Sequence, residues 1–204
     1  IHPHWLDAQY LQDKDRWSLT DYSHYRFHAL SRPQQDNVFD STLSELQSIT
    51  REFSEHYKID IFRAGGWCIP PSLEFIEYFR KYGIKYDSSV IPGFSKSSLP
   101  LSYYDFRDVS NKPCWRFNSD VTCPNSDGEF IEIPVTTFKI NPVHFVLNRF
   151  KNKQVICGDG LGALRASKRE FKHVYRKLTN KMLTSDYMHP SLILPLMNKI
   201  KGDT

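Results

Sequence analysis

Ile59-Asp60-Ile61-Phe62-Arg63-Ala64-Gly65-Gly66-Trp67 is the stretch whose reading decides the fold. Ile59 to Phe62 reads as a short buried strand ending at Arg63. Gly65 and Gly66 then let the backbone turn sharply or approach a ligand closely. After Pro70-Pro71-Ser72, helical spacing runs from Leu73 to Tyr82, with Leu73, Ile76 and Phe79 expected inward and Gly83 at the C′ position. Ile84-Lys85-Tyr86-Asp87 then starts another strand. Strand, turn, helix and strand in that order imply a mostly parallel α/β sheet or barrel.

The same reading extends outward. Upstream, a helix is expected from about Ser41 to His56, capped by Asp40 or Ser41, with Leu43, Leu46, Ile49 and Phe53 on one face. From Trp5 to Asp40 apolar periodicity is weak, which predicts a long loop with short elements. Its aromatics, Trp17, Tyr22 and Tyr25 among them, either pack the loop down or suit the faces of sugar rings. Downstream, Phe130 to Pro134 reads as a strand. Asn141-Pro142 starts a helix to about Phe150, Gln154 to Cys157 is a short strand, and Ser191 to Ile200 a last helix.

The net charge of +4 is mild, and much of the excess lies in Arg165, Lys168, Arg169, Lys172, Arg176, Lys177 and Lys181. Phe171, Val174, Tyr175, Leu178 and Met182 recur among them at helical spacing, so the run reads as an amphipathic helix with a solvated basic face rather than a nucleic-acid surface. No apolar run approaches the length of a membrane span. Cys68, Cys114, Cys123 and Cys157 form no CxxC pair. Reduced thiols in a cytosol are the default; Cys114 and Cys123 can pair if the protein is exported. The chain starts at Ile1 without a Met, so localisation is not readable, and an upstream segment is expected.

Several residues carry chemistry. Arg63, at a strand end, can orient a carboxylate or stabilise a developing oxyanion, with Trp67 at the rim. His189, before Pro190, has the ordinary pKa of a general acid or base. His2 and His4, flanking Pro3, face the same side if extended and are of a type that binds zinc and other divalent metals. Asp159 sits between two glycines as a further strand-end carboxylate, and His24 with His28 have the spacing of a weak second metal pair.

Together these motifs resemble the polysaccharide deacetylase (NodB-like) family, carbohydrate esterase family 4. The resemblance rests on Ile1-His2-Pro3-His4-Trp5, Phe62-Arg63-Ala64-Gly65-Gly66-Trp67, Gly83-Ile84-Lys85-Tyr86-Asp87-Ser88-Ser89-Val90, Ile131-Glu132-Ile133-Pro134-Val135 and Met188-His189-Pro190. It implies a distorted (β/α) barrel of about seven strands, over residues 1–204 as one N-terminally incomplete domain. It implies a divalent metal, zinc by preference, held by an Asp and two His. His4 is similar to the second His of the family's HxxxH motif, and His2 becomes an additional or substitute ligand. Arg63 then orients the catalytic base, His189 is the general acid, and Trp67 and Trp5 contact the sugar. The reaction implied is removal of acetyl groups from a glycan. A non-catalytic glycan-binding member of the same fold is the alternative. The family's early aspartate motif is absent and is expected upstream of Ile1, unless the member is degenerate. Its Asp-x-x-Asp-Trp motif has only Asp159 as a substitute.

Overall fold

A computed structural model describes residues 3–19, 21–69, 73–98, 102–140 and 179–182. The chain forms two units, Ile1–Val135 and Thr136–Thr204. In the first, Pro3–Asp7 is a 3-10 turn. Strands β1 (Gln9–Leu11) and β2 (Arg16–Ser18) follow as an antiparallel pair. Then come helix α1 (Arg32–Arg51), β3 (Ile61–Phe62), helix α2 (Leu73–Tyr82), β4 (Tyr86–Asp87), β5 (Ser95–Ser98), β6 (Ser102–Asp105), β7 (Trp115–Phe117) and β8 (Phe130–Glu132).

The central sheet has the order β3-β4-β8-β7. β3, β4 and β8 run parallel, and β7 joins β8 antiparallel. β5 and β6 form a separate antiparallel pair. The described residues therefore build an open mixed sheet, and no closed barrel is seen among them.

Aromatic packing holds the helices to the sheet. Phe39 of α1 stacks on Tyr78 of α2 at 4.9 Å and lies 5.8 Å from Phe62 of β3. Phe79 of α2 meets Phe62 at 5.3 Å and Phe130 of β8 at 5.5 Å, and Phe130 meets Phe117 of β7. All six rings are buried. Burying each such ring contributes about 1.5–3 kcal/mol. Tyr82 donates to Asp40 and Lys81 to Asp36, tying α2 to α1 at the surface.

Three expectations are corrected. Helix α1 begins at Arg32, not Ser41, because Ser31-Arg32-Pro33-Gln34 is a capping sequence. The Ser31 backbone N–H donates to Gln34 Oε1 at 2.9 Å, and Pro33 lies in the first turn. Its buried side chains are Val38 and Phe39, whereas Leu46, Ile49 and Phe53 are exposed, Phe53 by 84%. In α2, Ile76 and Phe79 are inward as expected, but Leu73 is exposed and Phe75 and Tyr78 take its place. The basic helix cannot extend to Met182. In the second unit, β10 (Thr179–Met182) pairs antiparallel with β9 (Thr137–Ile140), aligning Thr179 with Ile140 and Met182 with Thr137. The β-branched Thr137, buried in β9, suits that pairing. The helices expected at 141–150 and 191–200 and the strand at 154–157 lie outside the described residues.

Gly83 ends α2 with φ +71°, and Ile84 N–H reaches back to Phe79 O at 2.9 Å. A Cβ on Gly83 would meet open space, so only the left-handed backbone resists substitution. A Cβ on Gly128, in the β7–β8 hairpin, would stand 2.4 Å from the Phe117 backbone nitrogen. Gly83→Ala is therefore expected to cost about 1 kcal/mol and Gly128→Ala about 3 kcal/mol. Urea unfolding of both variants checks the order; equal midpoints would contradict it.

Candidate active site

The carboxyl ends of β3, β4 and β8 bring Arg63, Asp87 and Glu132 to neighbouring positions. Phe62 pairs with Asp87 and Asp87 with Glu132 across the sheet, so these side chains share a face. Arg63 follows β3. Its Nε donates to Ser88 O and its Nη2 to Ser88 Oγ, both at 2.9 Å, so the turn after β4 holds the guanidinium through two bonds. The side chain is otherwise exposed at the rim.

Behind it lies a buried acid pair. Asp87 and Glu132 are both 0% exposed. Ser89 donates its hydroxyl to Asp87 Oδ1 at 2.7 Å and its N–H to Oδ2 at 3.0 Å. Ser89 Oγ in turn accepts the Ala64 N–H at 2.9 Å. Val90 N–H donates to Glu132 Oε1 at 3.0 Å. Burial, and then the Asp87 carboxyl, push Glu132 up to about 10. Burial also raises Asp87, against hydrogen bonds from Glu132 and Ser89 that pull it down.

The turn after Arg63 is unusual. Gly66 and Trp67 both take left-handed backbone, at φ +61° and +58°. Gly66 needs that freedom and also the space: a Cβ there would lie 2.8 Å from the Tyr25 ring. Trp67 has no such freedom and carries the strain of a non-glycine residue there. Its ring meets Tyr104 edge-on at 6.3 Å. Burial raises the Tyr25, Cys68 and Tyr104 pKa values, so the surroundings of the turn are partly withdrawn from water. A polar cleft of about 420 Å³ over residues 118–126 shares none of these residues.

The N-terminal segment supplies a second grouping. His4 and Trp5 fall in the 3-10 turn Pro3–Asp7, which replaces the extended geometry expected there. His24 Nδ1 lies 2.8 Å from Asp7 Oδ1. A carboxylate only accepts, so Nδ1 is the donor in this bond; in the neutral imidazole that leaves Nε2 as the nitrogen with a lone pair. Asp7 Oδ2 is buried with no hydrogen-bond partner among the described residues. An imidazole backed by a carboxylate is the usual support of a metal-binding histidine; His24 and Asp7 supply that one element of a metal site. No group of three or more His, Cys, Asp or Glu converges on a metal position among the described residues.

Of the residues singled out in the sequence, Arg63 follows β3 and Trp67 lies in the turn after it; Asp87, Glu132 and the Asp7 partner of His24 were not singled out there. His28 does not join His24; it stands in its own 3-10 turn, Phe27–Ala29. His2, Asp159 and His189 lie outside the described residues. Cys68, Cys114 and Cys123 are free thiols, the last two exposed. Among the described residues no helix is long and apolar enough to cross a membrane. Searches of family models, curated proteins and solved structures return no match to this chain.

Proposed function

We propose that the chain is a metal-dependent deacetylase that removes N- or O-acetyl groups from a polysaccharide or glycan precursor, on a distorted (β/α) barrel. The observation that carries the reading is Arg63, held by Ser88 at the carboxyl end of a parallel strand beside an aromatic turn. Ligands bind at that end of α/β sheets.

His4 and His2 would hold the metal, with zinc preferred, and His24, steadied by Asp7, offers a further imidazole in the same segment. When bound, the metal polarises the acetyl carbonyl and activates water. Arg63 supplies a fixed positive fork for the carboxylate base or the developing oxyanion. Trp67 and Trp5 present ring faces to the sugar. His189 donates a proton to the leaving amine or alcohol. In the zinc-loaded protein, His189→Ala is expected to slow acetate release from acetylated oligosaccharides by about 10²–10⁴-fold. Undiminished release would remove His189 from the mechanism.

A glycan-binding member without catalysis is the second reading. It draws on Tyr10 and Trp17, which pair across β1 and β2 with ring centroids 5.4 Å apart and are both exposed. Saturable glycan binding with no acetate release under any divalent metal would select it.

A further inference from the structure

We infer that Asp87 and Glu132 hold one proton between them, carried on Glu132, and that this proton fixes the Ser88–Val90 turn that positions Arg63. Its bearing on catalysis rests on the deacetylase reading; the shared proton does not.

Both acids are fully buried on adjacent, register-matched strands. Two ionised carboxylates side by side without water repel too strongly to coexist. The oxygens are unequal. Both Asp87 oxygens receive Ser89 donors, and Glu132 Oε1 receives Val90 N–H. Glu132 Oε2 is buried and meets no donor among the described residues. It gains a partner only by becoming a donor itself, and the neighbouring group that accepts is Asp87. Arg63, whose charge acts on Glu132 from the end of β3, then balances one carboxylate rather than two. Trp115 of β7, paired with Glu132 on its other side, is uncharged and donates to Val121 O instead.

From this pair the order passes outward. Asp87 holds Ser89, whose hydroxyl oxygen holds the Ala64 N–H; Glu132 holds Val90; and Ser88, between them, holds the Arg63 guanidinium. Arg63 is thus fixed from its side chain and from the backbone that follows it, both through one turn. Asp87 and Glu132 are positioning residues.

Infrared spectroscopy of the full chain at neutral pH tests the proton. The C=O stretch of a protonated carboxyl is expected in the native protein and should vanish in Glu132→Gln, whose amide keeps a donor toward Asp87. A native spectrum without that band, or a band that survives in Glu132→Gln, overturns the inference. The positioning half is read from the Arg63 Nε–H resonance. It should hold its native shift in Glu132→Gln and move in Ser89→Ala, which cuts the link to Ala64 without burying a new charge. An unmoved resonance in Ser89→Ala overturns that half. If the band and the resonance behave as expected but no acetate is released, the inference stands and the deacetylase reading falls.

Discussion

On the proposed deacetylase reading, Arg63→Lys is expected to lower acetate release by about 10²-fold while leaving the thermal midpoint nearly unchanged. The charge survives this substitution but the fork does not. Nε and Nη2 of Arg63 bond two different oxygens of Ser88. A lysine ammonium is a single point on a flexible stem and cannot hold both while facing a substrate. The side chain is exposed, so losing its bonds costs little stability. Arg63→Ala should be at least as slow. Steady-state rates beside a melting curve decide it. If the lysine variant keeps native activity, only positive charge is needed, and the oriented fork is irrelevant.

Native stability is expected to fall as pH rises from about 5 to about 8, by roughly 4 kcal/mol for the one proton that the Asp87–Glu132 pair keeps. The sign follows from proton uptake. Burial lifts Glu132 from an ordinary 4.5 to about 10, so across that window the folded chain keeps a proton that the unfolded chain has released. Its contribution is complete below the ordinary value, shrinks by about 1.4 kcal/mol per pH unit above it, and is gone once pH passes the folded value. His28, whose pKa burial lowers, acts with the opposite sign, and only below the ordinary histidine value of 6.5. Asp21 and Asp105, lowered by hydrogen bonds from Ser23 and Arg107 respectively, act only in acid. Urea unfolding across this range should show the decline in the native chain and a much flatter line in Glu132→Gln. Parallel slopes in the two proteins would contradict the assignment to Glu132.

What could be read in advance follows from which signals are local. Helix α2 matched its expected bounds because its apolar spacing and Gly83 are both local features. The start of α1 was hidden because Arg32 to Asn37 are mostly polar; the Ser31–Gln34 spacing announced it without any apolar periodicity. The acid pair was illegible for a different reason. In Ile131-Glu132-Ile133, alternation puts the glutamate toward water. Instead Glu132 faces inward and Ile133 is 42% exposed. Ile61 of the expected buried strand is likewise 58% exposed. A carboxyl is tolerable inside only because another chain segment brings it a partner, and that pairing, 45 residues apart in Asp87 and Glu132, leaves no mark on either local sequence. The Asp7–His24 bond is equally non-local.

Trp67 bears on how this protein tolerates change. Its backbone sits where glycine would be at ease, yet the position carries the bulkiest side chain available. Relaxing the turn and keeping the indole are therefore competing demands. A screen that rewards only thermal endurance would drift toward glycine or asparagine there, whereas one that rewards sugar binding would, on the proposed reading, keep restoring tryptophan. The turn after β3 is thus a place where selection for durability and selection for use would write different residues.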